Sequence, residues 1–152
     1  MFSEISQLKD KKILVVGLGK TGVALCKFLH EQGSQVTVTD HKSRPELANQ
    51  IEQMGDLPIK FDLGSHSPKT FLAQDLVILS PGISSKLKIF EYARSKGIKI
   101  TGEFEFVAQF IKEPIIALTG TNGKTTTARL IEAMLKQSGV KTWLGGSMGI
   151  PF

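Results

Sequence analysis

The chain is poor in the residues that staple, anchor or metallate a protein. Its 152 residues include one cysteine, one tryptophan, one tyrosine and three histidines. A single cysteine, Cys26, cannot form an internal disulfide framework, and it fits a reducing compartment such as the cytoplasm. Cys26 sits in a helical apolar pattern, so core packing rather than nucleophilic chemistry is its expected role. His30, His41 and His66 show no metal-ligand spacing. No run of about eighteen apolar residues occurs, so no membrane-spanning helix is expected. The stretch from Met1 to Lys12 lacks the apolar centre of a signal peptide. No basic patch is interleaved with aromatics, so nucleic acid is not an expected partner. Lys and Arg number 19 against 14 Asp and Glu, a formal charge of +5, which suits anionic nucleotides but also an ordinary surface. Hydrophobic residues at 41% and charged residues at 22% are the proportions of a globular domain.

What is present is an alternation of strand and helix patterns. Ile13-Leu14-Val15-Val16 and Asp75-Leu76-Val77-Ile78-Leu79-Ser80 are apolar on both faces, as in buried parallel strands. Gln35 to Thr39, Ile59 to Phe61 and Ile98 to Ile100 read as further strands. Helices are predicted over a stripe from Val23 that ends at Gly33, and over Arg44 to Met54, Ser85 to Lys96 and Glu103 to Ile111. A second unit is predicted to begin near residue 113, with a strand at Ile115–Leu118, a glycine loop, a helix reaching Ser138 and a strand at Lys141–Leu144. The expected class is α/β: a Rossmann-like parallel-sheet domain over 1–112, then the start of a P-loop α/β ATP-binding domain over 113–152.

Two glycine loops carry the chemistry. Gly120-Thr121-Asn122-Gly123-Lys124-Thr125-Thr126-Thr127 opens a helical pattern, so backbone N–H groups and the helix dipole would meet a phosphate there. Lys124 would reach the outer phosphates, and the Thr125 hydroxyl would ligate Mg²⁺. The general P-loop pattern places its first glycine where this chain has Leu118, so the turn is tighter than usual. A plain strand-to-helix turn would need neither two turn glycines nor three successive threonines.

The earlier loop, Gly17-x-Gly19-x-x-Gly22, follows a strand and opens a helix, and Asp40 stands eighteen residues beyond it at the end of the next strand. This is a dinucleotide-binding fingerprint. Its physics specifies a pyrophosphate at a helix N-terminus and a ribose at a strand end. NAD and a uridine diphosphate sugar both present those groups. Ser80-Pro81-Gly82-Ile83, at the C-terminal end of a buried strand, is either a third ligand contact or a turn that only ends the strand.

These blocks, with Gly102-Glu103-Phe104-Glu105 and Gly145-Gly146-Ser147-Met148-Gly149-Ile150-Pro151, occur in an order that resembles the Mur ligase family. The glycine loop so near the N-terminus resembles the branch that adds D-glutamate, whereas the ATP loop is shared with sibling ligases and folylpolyglutamate synthases. The resemblance implies a cytoplasmic, monomeric, ATP-dependent ligase of peptidoglycan precursor synthesis. It implies that ATP phosphorylates the carboxylate of UDP-N-acetylmuramoyl-L-alanine and that the amine of D-glutamate attacks the acyl phosphate. It places Gly19, Lys20, Thr21, Asp40, His41, Gly82 and Ser147 around the UDP-linked substrate. Gly120, Thr121, Asn122, Gly123, Lys124, Thr125 and Thr126 then hold ATP, with Lys124 catalytic and Thr125 on Mg²⁺. Ser147 stands where the family usually has Asn. The family's remaining metal ligands and its C-terminal domain have no counterpart by Phe152, so the chain reads as a fragment, inactive alone. An NAD-binding Rossmann protein and a non-catalytic UDP-sugar-binding module are the alternatives.

Overall fold

The computed structural model describes residues 4–84 and 86–146. Five strands, β1 (Lys12–Val16), β2 (Gln35–Asp40), β3 (Lys60–Leu63), β4 (Leu76–Leu79) and β5 (Lys99–Gly102), form one sheet in the order β3-β2-β1-β4-β5. Every neighbouring pair is parallel. Parallel neighbours need crossovers, and these are supplied by α1 (Lys20–Glu31), α2 (Ala48–Glu52), α3 (Pro68–Leu72) and α4 (Lys88–Ser95). The α/β, Rossmann-like expectation therefore holds for the sheet.

The sheet is covered on both faces, which explains why β1 and β4 lack alternation. Ile13, Val15, Val36, Val38, Leu76 and Ile78 face a layer that includes Val23, Leu25, Cys26 and Leu29 of α1 and Phe106 of α5 (Glu103–Ala108). Leu14, Val16, Val77 and Leu79 face Phe71 of α3 and Phe90 and Ala93 of α4. Phe71 and Phe90 are both fully buried with ring centroids 5.8 Å apart. Burial of each such side chain stabilises the fold by about 2–3 kcal/mol.

Several expected elements differ. The helix expected over Arg44–Met54 is a 3₁₀ turn, Pro45–Leu47, followed by the short α2. The helix expected to run to Ile111 stops at Ala108. Two elements had no forecast: the 3₁₀ turn Ile5–Leu8 and α3. The strands expected at Ile115–Leu118 and Lys141–Leu144 are not formed. A strand needs a ladder partner, and Ile115, Ile116 and Leu118 are 41%, 61% and 39% exposed. The helix between them, α6 (Lys124–Gln137), forms as expected but buries none of its residues.

Candidate functional site

The turn from β1 into α1 is built by contacts the glycines permit. Gly17 has φ +91, a conformation that favours glycine. A Cβ on Gly22 would lie 2.2 Å from the Gly17 carbonyl oxygen, so only glycine lets the first turn of α1 approach the end of β1 so closely. Gly19 is different. It is the N-cap of α1, its φ is −77, and a Cβ there would meet nothing within 4 Å. Its role is not internal packing, and the space beside it is open. No side chain caps α1, and the first helical bond of the ladder is Val23 N–H to Gly19 O at 3.0 Å. The amides of Lys20, Thr21 and Gly22 thus form an uncapped helix start, with the macrodipole's positive end behind them. Lys20 is exposed and Thr21 half-buried at this opening.

Asp40 ends β2 and is 6% exposed. Its Oδ2 accepts the Leu18 amide at 2.7 Å, and its Oδ1 accepts the Lys42 amide at 2.9 Å. His41 Nδ1 lies 3.2 Å from Oδ1, with the imidazole 72% exposed. The sequence marks Asp40 as an acceptor for ribose or uracil groups, and the structure adds that its carboxylate already pins the glycine loop to β2. An ionised carboxylate has about four lone-pair sites. Two accept backbone amides and a third faces the His41 imidazole, which leaves room for about one ligand hydrogen bond.

Behind Asp40 the loop after β3 turns back over the same strand end. The Gly64 amide donates to the carbonyls of Asp40 and Lys42. His66 Nδ1 lies 2.9 Å from the Thr39 hydroxyl, and its ring packs edge-on against Phe71. Burial holds the His66 imidazole below its ordinary value, opposed by the nearby Asp40 carboxylate. Sequence spacing gave His66 no role, because nothing local marks a histidine that meets a threonine 27 residues upstream.

The loop after β4 reaches the glycine turn from the other side. Ser80 is 6% exposed and donates its hydroxyl to the Gly17 carbonyl at 2.8 Å. Ile83 folds over Gly17. Gly82, φ +88, is exposed and lines an open cavity of about 410 Å³ with Ser80, Arg94, Thr101 and Glu103. Gly19, Lys20 and Thr21 do not line that cavity. Gly19, Lys20, Thr21, Asp40 and Gly82 nevertheless stand on the same C-terminal edge of the sheet, either side of the point where winding reverses between β1 and β4. That crevice is where open α/β sheets bind ligands.

The second glycine loop lies apart in sequence and character. Gly120 and Gly123 have φ +152 and +76, and Gly123 is the N-cap of α6 with no side-chain cap. The Thr127 amide bonds back to Gly123 O at 2.9 Å, and no side chain caps the helix start at Gly123. Thr121, Asn122 and Lys124 are exposed. The Lys124 ammonium folds back to donate to the Gly120 carbonyl. This is the donor chemistry a polyphosphate takes: amides, a helix dipole and a cation. Among the described residues no group of three His, Cys, Asp or Glu could hold a metal. Ser147 lies outside the described residues.

Residues 11–102 match the family model of the Mur ligase MurD-like N-terminal domain. The chain is 74% identical over 147 residues, 97% of its length, to a UDP-N-acetylmuramoylalanine–D-glutamate ligase of Bdellovibrio bacteriovorus, and covers 32% of that protein. It is 47% identical over 145 residues to the like-named ligase of Citrifermentans bemidjiense, covering 95% of this chain and 32% of that one. The chain thus spans about a third of the length of these relatives. Among solved structures, a pseudomurein peptide ligase type C from Methanothermus fervidus superposes with TM-score 0.54 at 29% identity, over 86% of this chain and 27% of that one. A murein peptide ligase from Psychrobacter arcticus superposes with TM-score 0.55 at 22% identity, over 92% and 31%, a likeness of fold alone.

Proposed function

Because the chain belongs to the Mur ligases, with the MurD-like N-terminal domain over residues 11–102, we propose that its glycine loop at Gly17–Gly22 grips the uridine diphosphate of UDP-N-acetylmuramoyl-L-alanine. The protein's work is then ATP-dependent addition of D-glutamate to that substrate, in cytoplasmic peptidoglycan precursor synthesis. The observation that carries this reading is the uncapped start of α1, with Gly19 facing open space and Asp40 pinning the turn behind it.

In this reading the pyrophosphate meets the amides of Lys20 to Gly22, the Thr21 hydroxyl and the Lys20 ammonium. Asp40 offers its remaining acceptor site to a ribose or uracil donor, with His41 beside it. Gly82 closes the far side, and Ser147 takes the place of the family's Asn. Residues 1–112 form the substrate domain, and residues 113–152 begin the central ATP-binding domain.

The second loop prepares the electrophile. The γ-phosphoryl passes from ATP to the substrate carboxylate, ADP leaves, the amine attacks the acyl carbon, and phosphate departs. Such transfer needs charge neutralisation and alignment more than acid–base work. Lys124 releases the Gly120 carbonyl and pairs with the outer phosphates, while the amides of α6's first turn hold their oxygens. Thr125 offers a hydroxyl to Mg²⁺, an ion that takes most of its ligands from water and phosphate. When bound, that ion neutralises phosphate charge.

Calorimetric titration with UDP-N-acetylmuramoyl-L-alanine, and separately with NAD, tests the proposal. Binding of the UDP-linked substrate without NAD binding is the expected result. NAD binding without UDP binding would overturn it.

A further inference from the structure

The following inference rests on the reading that the β1–α1 loop grips a uridine diphosphate. Ser80 stands just past β4, beside the reversal point of the sheet, and it belongs to a motif whose serine has no role in that reading. Its amide donates to the Val16 carbonyl at 3.0 Å, and its hydroxyl donates to the next carbonyl, that of Gly17, at 2.8 Å. The residue Gly17 is also held through its amide, in the preceding peptide unit, which donates to the Thr39 carbonyl at 2.8 Å. The same Gly17 oxygen is the atom against which Gly22 packs. One serine hydroxyl therefore fixes the carbonyl on which the first turn of α1 rests.

We propose that Ser80 is a positioning residue for the UDP-linked substrate, acting through the Gly17 carbonyl. Two effects follow from the bond. It sets the height of the turn and so the aim of the Lys20 to Gly22 amides. It also engages a carbonyl oxygen, the negative end of a peptide dipole, that lies against the helix turn meant to receive an anion. With the hydroxyl gone, that buried carbonyl loses its donor and the turn relaxes toward other partners. The loss falls on the phosphate grip and not on the loop at Gly120 to Lys124, which Ser80 does not hold.

The test uses the whole chain, with UDP and ATP as separate probes in calorimetric titrations of wild type, Ser80→Ala and Ser80→Thr. Ser80→Ala is expected to weaken UDP binding about tenfold and leave ATP binding unchanged. Ser80→Thr keeps the hydroxyl and is expected to stay within about threefold of wild type. UDP affinity of Ser80→Ala within about twofold of wild type would overturn the inference. So would an equal loss in both variants, or an equal loss for ATP. Should Ser80→Ala not fold, Ser80→Cys replaces it: a nearly isosteric, weaker donor for which an intermediate loss is expected and unchanged affinity overturns. If wild type itself does not bind UDP, the reading of the site falls and the inference with it, an outcome distinct from wild-type binding that Ser80→Ala leaves intact.

Discussion

Leu18 and Asp40 are joined across 22 residues by a 2.7 Å hydrogen bond from the Leu18 amide to Asp40 Oδ2, in a buried setting. The bond links the glycine turn to the end of the neighbouring strand, so the acid proposed to meet the ribose or uracil also holds the turn proposed to meet the phosphates. Asp40→Ala leaves the buried Leu18 amide without its acceptor and should destabilise the chain by about 2–3 kcal/mol. Asp40→Asn keeps one carbonyl acceptor and should lose less. Urea unfolding midpoints check the order wild type, Asn, Ala.

Gly19 and Gly22 should respond in opposite ways to the same methyl group. Gly22→Ala drives a Cβ onto the Gly17 oxygen and should cost about 1–3 kcal/mol or more of stability. Gly19→Ala meets open space and should cost only about 0.5 kcal/mol. It should nonetheless weaken UDP binding by about tenfold, because the methyl stands over the helix start. Melting temperatures and UDP titrations on both variants separate the two effects.

Lys124 is exposed, so Lys124→Ala should leave the melting temperature unchanged while weakening ATP binding by about tenfold or more. An ATP titration with Mg²⁺ present reads this directly. An unchanged ATP affinity would remove Lys124 from the phosphate cradle.

Cys26 is fully buried, and desolvation pushes its thiol up to about 12. Thiolate is the reactive species, so the native chain should resist iodoacetamide near neutral pH and react once denatured. Mass spectrometry of labelled native and urea-treated samples measures the difference.

Burial lowers the His66 pKa from its ordinary 6.5. Below that pH the unfolded chain binds more protons than the folded one, so this group's contribution is complete above 6.5 and declines as pH falls toward the depressed value. His66→Gln should therefore flatten the fall in melting temperature as the pH drops below 6.5. A slope identical to wild type would show that His66 does not titrate within that linkage.

The sheet was legible because β1 and β4 carry uninterrupted apolar runs, the mark of strands covered on both faces. α3 was not, since five residues with Pro68 and Lys69 show no helical period and Phe71 alone anchors them. The apolar run Ile115–Leu118 misled: composition favours a strand, but a strand exists only where a neighbour completes its ladder. At the site, motif spacing located the two glycine turns and Asp40, because backbone conformation is written in glycine. It could not tell which way Asp40's oxygens point, nor that Ser80 meets Gly17, 63 residues away. Those contacts depend on which strands lie side by side.

The central claim is a division of labour: the first glycine loop holds the UDP-linked substrate and the second holds ATP. Amide hydrogen exchange of the chain with each ligand in turn tests it most directly. The account predicts that UDP-N-acetylmuramoyl-L-alanine slows exchange at residues 18–23 and 80–83, while ATP with Mg²⁺ slows it at 120–127. Protection of residues 18–23 by ATP or NAD, with none from the UDP-linked substrate, would contradict it.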